Sequence, residues 1–447
     1  METGLSDKRF NIRMIVLIFI ISFVFSDFIR SYLFSNLLGV IDYNAQNINF
    51  YVAICLILIV INQINNGAYN ISILFFWILG ALLTLIVLYK SSSGMWGYSI
   101  FLICYMIPLL LLGLKISKED LPIIFEKCLN LLNILVCIIF IVGIYDYLTK
   151  GGFQSFLMQH GFFNERYVEL VSNGLTHGVF RYYSIFGHPL RTAQLFLTFF
   201  ILNSIFNKYF YVKLNPLLLS VITLIGVTLS NSKTGVLLSL ILILFFSTSK
   251  SLGTKILYWV ASIIALFFLL SSQLFSSTVL ERVTKTADDL SGGRTELVKA
   301  IIDGTIERPK LIGGGPGYSQ VIKETTSSEA TSFEYPFIMF SYDLGIGITI
   351  LMYIILFIYP LMKLILYRNY YLAGLFLILT LDVNSYNGLT NTGDFMIQFG
   401  FVIFLILNVN YYVTDLYGKK FYKLRWNHSK KLNGLYNEKD GTVLHEN

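Results

Sequence analysis

Charge is scarce in this sequence. Asp, Glu, Lys and Arg make up 13% of its 447 residues, where soluble domains carry about 25%. That shortage excludes an ordinary soluble domain. Cysteine is sparse too. Cys55, Cys104, Cys128 and Cys137 all lie in or beside apolar runs, with no CxxC and no Cys/His spacing. They read as small core or lipid-facing residues, not as disulfides or metal ligands. There is no DxD and no HExxH, so neither a metal nor a cofactor is expected. No internal repeat is visible. No small-residue cleavage site follows the long apolar run after Arg13, which reads as a first anchor rather than a signal peptide.

What is plentiful is apolar: 55% of the residues are hydrophobic and the mean hydropathy is +0.68. Lipid cannot satisfy the edge of an open sheet, and a span takes roughly 20 residues. The fold class expected is therefore all-α, a polytopic integral membrane protein forming one domain over 1–447. About twelve transmembrane helices are predicted, at about 14–33, 48–64, 70–89, 97–114, 128–147, 188–206, 214–230, 234–249, 254–272, 336–362, 369–386 and 395–414. With the N-terminus inside, the inner segments hold Lys8, Arg9, Arg13, Lys115, Lys118, Lys127, Lys208, Lys213, Lys250, Lys255, Lys363 and Arg368. The positive-inside rule then places both termini in the cytoplasm. The net charge of +7 belongs largely to that pattern and to the basic tail over 415–447. The tail reads as a topology anchor against anionic membrane lipid rather than a nucleic-acid site. Two outer segments are long, 148–187 and 273–335, the second between the ninth and tenth spans. In the second, "TELVKAIIDGTI" carries Leu297, Ala300, Ile301 and Ile302 at helical spacing, breaking near Pro309 into the turn "GGGPG". A long loop with structure of its own is usually functional.

Four clusters could carry chemistry. "FRYYSIFGHPLRTA" holds Arg181 before a span and His188 and Arg191 at its outer start. Guanidinium groups at a membrane mouth suit a phosphate. Snorkelling is the plainer account, and Pro189 would simply open the helix. "SNSKTG" at 230–235 sets Lys233 on a tight outer turn, where a cation needs an anion or acceptor to answer it. "SGGRTE" puts Arg294 at a helix start, which also favours an anion. Gly315 and Gly317 of the "GGGPG" turn serve either as a plain turn or as close backbone approach to a sugar or phosphate. In "SSEATSFEYPF", Glu334 stands among Phe333 and Tyr335 at the mouth of the tenth span. Partial desolvation there would suit a general base. Asp343 and Asp382 are further acidic candidates.

These segments resemble the bacterial O-antigen ligases and Wzy-type polysaccharide polymerases. "RYYSIFGHPLRTA" is similar to that family's Arg-plus-"GxfxxPxxxA" segment, matched by Arg181, Pro189 and Ala193. "LSNSKTGVLLSLILI" looks like its "S-x-S-R-G" turn, with Lys233 where Arg is usual. "GGRTELVKAIIDGTIERPKLIGGGPG" is similar to its "GRxxxWxxAxxxixxxPxxGxGxG" loop, with Val298 in place of the usual Trp. Counting back from Gly345 lands on Glu334, as in the polymerases, where the ligases have His. The resemblance spans roughly 180–350. It implies a metal-independent, inverting glycosyl transfer on the outer face of the bacterial cytoplasmic membrane, between undecaprenyl-diphosphate-linked oligosaccharides. Arg181, Lys233 and Arg294 would face the diphosphate, with Gly315 and Gly317 lining the substrate site and Glu334 as catalytic base; Arg191 and His188 stay substrate-binding candidates on their own position at the span's outer start. It also leaves room for a chain-length-regulating partner. A ligase of the same fold and a lipid-linked oligosaccharide flippase or other transporter are the alternatives. Transporters usually place charges near the midplane and show repeated halves.

The Lys and Arg count generates a topology test. A cysteine at position 315 should be labelled by an impermeant reagent in intact cells, and cysteines near Lys250 or either terminus only after the membrane is broken. Labelling of position 315 only in broken cells would refute this orientation.

Overall fold

Long apolar runs satisfy their own backbone by coiling, and every regular element among the described residues is helical. The computed structural model describes residues 2–39, 49–90, 99–160, 165–176, 180–247, 294–325, 335–389 and 394–416, with five isolated positions between 253 and 263. Among them, four helices are long and apolar enough to cross a membrane: Asp120–Leu148, Pro189–Tyr209, Ile346–Leu366 and Phe395–Leu416. A bent pair, Phe10–Val24 with Asp27–Phe34, makes a fifth if taken as one span.

Among the described residues, the twelve full-length spans expected from hydropathy are therefore shown only in part. Six of them correspond to shorter apolar helices of 10–17 residues: Phe50–Asn65, Ile71–Val87, Ser99–Gly113, Pro216–Leu229, Lys233–Phe246 and Tyr370–Ser385. A 14-residue helix rises about 21 Å, less than the roughly 30 Å of a hydrocarbon core. Local chemistry sets their ends. Asn215 caps Pro216–Leu229 by accepting from the Leu217 amide, and the turn at Ser230 and Asn231 ends it before Ser232 caps the next helix at Gly235. The ninth expected span, 254–272, lies outside the described residues apart from isolated positions, as does the basic tail beyond 416.

Pro189–Tyr209 is the central helix, buried over nearly all its length. It packs against Asp120–Leu148, Pro216–Leu229, Lys233–Phe246 and Tyr370–Ser385. Gly226 lets one neighbour close in, since a Cβ there would lie 2.4 Å from the Phe196 ring. Buried polar side chains pair within the bundle. Asn203 donates to Asn133 at 2.8 Å and to the Phe199 carbonyl at 2.9 Å. Phe395–Leu416 is the second buried helix. Phe401 meets Phe19, and Phe399 meets Phe357.

The bundle has two chemically distinct ends. At one, Asn408 bonds the Leu114 carbonyl and the Ile116 amide, Lys118 pairs with Asp415, Lys213 with Glu126, and Tyr209 reaches Asn369. These are the segments whose cations were read as sharing one side. At the other end lie the first-helix break and the segments around Phe180, Asn231 and Asp343.

The break leaves backbone carbonyls that need donors. The first helix widens over Ile20–Val24, and the chain turns by 78° before Asp27. Arg30 Nη1 then donates to the Ile21 and Phe25 carbonyls at 3.2 and 2.7 Å. The same guanidinium grips Asp394 through two bonds of 2.8 and 3.1 Å. Asp394 also accepts from the Asp27 amide and from Asn49. The Asp27 carboxylate in turn takes both its oxygens to Arg191 Nη1 at 2.9 Å. All four charged residues are at most 5% exposed.

Removing one member leaves its partner as a bare buried charge, which typically costs about 3–5 kcal/mol. Arg30→Ala and Asp394→Ala should each lower unfolding stability in detergent by that amount. The double variant Arg30→Leu/Asp394→Leu should lose much less than the sum of the single losses. Additive losses in denaturant titrations would show that the pair does not act as a unit.

Candidate functional site

Two segments that are far apart in sequence run side by side at the end of the bundle that holds the helix break. The Tyr182 amide donates to the Leu229 carbonyl at 3.0 Å, and Asn231 Nδ2 donates to the Phe180 carbonyl at 3.3 Å. Asn231 adopts a left-handed φ of 52°, which its short polar side chain tolerates better than most. The turn is tight enough for Ser232 to cap the following helix, whose first residue is Lys233. Tyr182 anchors the other segment. Its hydroxyl donates to the Ile139 carbonyl at 3.0 Å, and its ring lies where a Cβ on Gly143 would approach within 2.9 Å. Thus Arg181 and Lys233, which sequence reasoning grouped only by chemistry, sit on adjoining strips of backbone.

Arg181 lines a cavity of about 200 Å³ together with Tyr183, Gln154, Leu170, Val171 and Leu175. The far walls come from the expected outer segment 148–187, whose described part folds as helices Gly152–Gln159 and Glu165–Thr176. A small satellite core of Phe28, Leu157, Val171 and Tyr183 holds these helices on the half-helix after the break. Asp146, fully buried, sets the start of Gly152–Gln159. It accepts from the Phe153 and Gln154 amides at 2.8 and 3.0 Å and from Gln154 Nε2 at 2.6 Å. Gln154 Oε1 is buried with no partner among the described residues.

Two residues of the first cluster do other work. Arg191 is spent on Asp27 inside the bundle, with its guanidinium 3.7 Å from the centre of the Phe395 ring. It does not stand at a mouth facing a phosphate, because the broken first helix brings a carboxylate to it. His188 precedes the Pro189 helix start, and its Nδ1 accepts from the Leu190 amide at 3.2 Å, a capping role. Pro189 opens the helix, as its fixed φ favours.

The glycine-rich turn is also absorbed by the fold. The Gly314 amide donates to the Tyr342 carbonyl at 3.0 Å and the Gly315 amide to the Asp343 carbonyl at 2.8 Å. The Ile346 amide closes the contact on the Lys310 carbonyl. A Cβ on Gly313 would lie 2.4 Å from the Asp343 carbonyl oxygen, and one on Gly345 would lie 2.3 Å from that of Leu311. Gly315 and Gly317 both have positive φ, 99° and 84°. Of the two readings of this segment, the plain turn is the one the described residues form: the close backbone approach is of the chain to itself, and the Gly315 N–H donates within the protein. Asp343 is a remote cap for helix Tyr318–Thr325, accepting from the Ser319 amide at 2.7 Å. Nearby, the Lys310 ammonium and the Tyr318 hydroxyl hold the Glu307 carboxyl below its usual value.

Arg294 begins the helix Arg294–Ile302, and its side chain lies outside the described residues. Glu334 and the rest of 326–334 lie outside them too, as do 264–293. Among the described residues no three His, Cys, Asp or Glu side chains gather as a metal cradle. Asp382 is buried in helix Tyr370–Ser385 with Oδ2 unbonded.

Sequence reasoning passed over Asp27, Arg30, Asp146 and Asp394. The signal was present for the first pair. "FSDFIR" puts two charges into the first apolar run, where each is costly unless answered. No such signal marked Gln154, whose importance depends on which way its amide is turned. Comparison with protein-family models, curated proteins and solved structures returns no match to this chain.

Gly313→Ala should undock the turn, because the crowded atom is backbone and cannot swing aside. A cost of about 1–3 kcal/mol is expected, with faster hydrogen exchange at Gly314 and Gly315 and faster proteolysis within 303–325. Unchanged protection at those two amides would contradict the docked arrangement.

Proposed function

We propose that this chain is a polysaccharide polymerase that joins undecaprenyl-diphosphate-linked repeat units on the outer face of the bacterial cytoplasmic membrane. The observation that carries this reading is the docking of the Arg181 segment onto the Lys233 turn beside the cavity. Two cation-bearing segments that resemble the family's motifs meet at one end of an apolar helical bundle, next to a space with both polar and apolar walls.

In the proposed reaction, an acceptor hydroxyl oxygen attacks the anomeric carbon of the donor glycan. The carbon–oxygen bond to the diphosphate breaks, and its electron pair leaves on the diphosphate oxygen. The hydroxyl proton passes to Glu334, and the single displacement inverts the anomeric centre. Arg181, Lys233 and Arg294 would stabilise the charge that develops on the leaving group. A second reading, a lipid-linked oligosaccharide carrier, draws on the broken first helix, a device of transporters. Its charged residues pair with one another, however, instead of lining an open path.

A strain lacking the protein should accumulate single lipid-linked repeats at the outer face and no polymer. Repeats trapped in the cytoplasm would indicate a carrier instead. Arg181→Ala should slow transfer by roughly 30- to 1,000-fold, the equivalent of about 2–4 kcal/mol of barrier. Glu334→Gln should slow it about 100-fold or more with substrates still bound. Wild-type turnover in the Gln variant, measured with lipid-linked repeats in vitro, would remove the base role.

A further inference from the structure

A wall residue of the cavity beside Arg181, Gln154, carries a buried polar atom that the fold orients and that has no partner among the described residues. Asp146 is buried and, when ionised, can only accept hydrogen bonds. It gathers the Phe153 and Gln154 amides and Gln154 Nε2. The Gln154 side-chain amide must therefore turn its NH₂ towards Asp146, which directs Oε1 away from it. Gln154 is 1% exposed, Oε1 meets no donor among the described residues, and the residue lines the cavity. A buried acceptor without a partner is costly to the fold, so its retention on a cavity wall points to a donor brought by a ligand.

The other walls define the ligand further. Leu170, Val171 and Leu175 are apolar, and Arg181 adds hydrogen-bond donors. At about 200 Å³ the space is smaller than the roughly 300–1,000 Å³ of sites for drug-sized molecules. An ionised diphosphate offers no donor to Oε1 and gains nothing from three aliphatic side chains. A sugar ring offers a hydroxyl proton to Oε1, carbon-bound hydrogens to the aliphatic wall and oxygen acceptors to the guanidinium.

We propose that this cavity binds one neutral sugar ring, with Gln154 Oε1 accepting a hydrogen bond from a ring hydroxyl and Asp146 acting as the positioning residue for that acceptor. The sugar's place as part of a glycan substrate rests on the polymerase reading above; the chemistry of the cavity does not. Arg181 then has a sugar contact as well as its role at the leaving group, and Gln154 selects hydroxyl configuration at one ring position.

The test uses the full-length protein in nanodiscs, with saturation-transfer NMR on methyl β-glucoside, methyl β-galactoside, N-acetylglucosamine and inorganic pyrophosphate as probes. At least one of the sugars should receive saturation. Its affinity should fall tenfold or more in Gln154→Leu, which removes the acceptor, and in Gly174→Leu, which fills the cavity from its helix wall without touching the Asp146 bonds. Pyrophosphate binding should not change in either. Asp146→Asn should weaken the sugar while leaving pyrophosphate alone, a split that general loss of structure would not produce. The proposal is overturned if no sugar binds, if sugar binding ignores both Gln154→Leu and Gly174→Leu, or if pyrophosphate is the probe that depends on Gln154. Polymer made normally in a strain without the protein would sink the polymerase reading and leave the cavity result standing. Loss of polymer alongside an indifferent Gln154 would sink only the cavity proposal.

Discussion

The arrangement depends on one interaction, the bidentate grip of Arg30 on Asp394 across the break in the first helix. A broken helix in an apolar bundle exposes carbonyls that lipid cannot satisfy. Arg30 covers two of them with the same guanidinium that binds Asp394. Asp394 in turn holds the amide that opens the half-helix. Asp27, placed by that half-helix, then claims Arg191 on the central helix. Two acids and two bases are neutralised together, so the first, central and last helices meet at one end at little net electrostatic cost. Without the grip, the half-helix loses its direction, and Phe28 loses its place in the satellite core that supports the cavity wall.

This explains why cations of similar appearance have different fates. Arg181 and Arg191 stand ten positions apart in one segment. Arg191 is on a helix that faces Asp27, so its charge is consumed in holding helices together. Arg181 is on an extended strip pinned to the 229–231 turn, which sets it against the cavity. His188 lies between them and caps the helix start. The helix boundary at Pro189 therefore divides a stretch that holds helices together from one that lines a cavity. Asp146 and Asp343 show the same division among acids, each spent on the amides of a neighbouring short helix.

Much of the architecture was legible because hydropathy and capping are local. The helices begin at residues that can cap them: Asn49, His188, Asn215, Ser232 and Asn369 each accept from an amide just inside. The grouping of Lys115, Lys118, Lys208 and Lys213 at one end also followed from the simple alternation of apolar runs. Helix bounds were legible to within a few residues, as at Pro216–Leu229 against the expected 214–230, while the length needed to cross a membrane is reached by fewer of these helices. The glycine-rich turn left two readings open. Glycine signals that something comes close, without saying what, and here it is the chain's own backbone at Asp343 to Gly345.

The sequence by itself determined that the chain is helical and apolar, and where many of its helices start. These follow from backbone satisfaction in lipid and from side chains a few residues away. Only the tertiary structure decided which charges are spent and which face a cavity. The partners of Arg30, Arg191 and Gln154 are set by helix packing, and two of those three partners lie more than a hundred residues away. An ion pair or an oriented amide depends on positions in space to within an ångström, and the order of residues along the chain does not contain that distance.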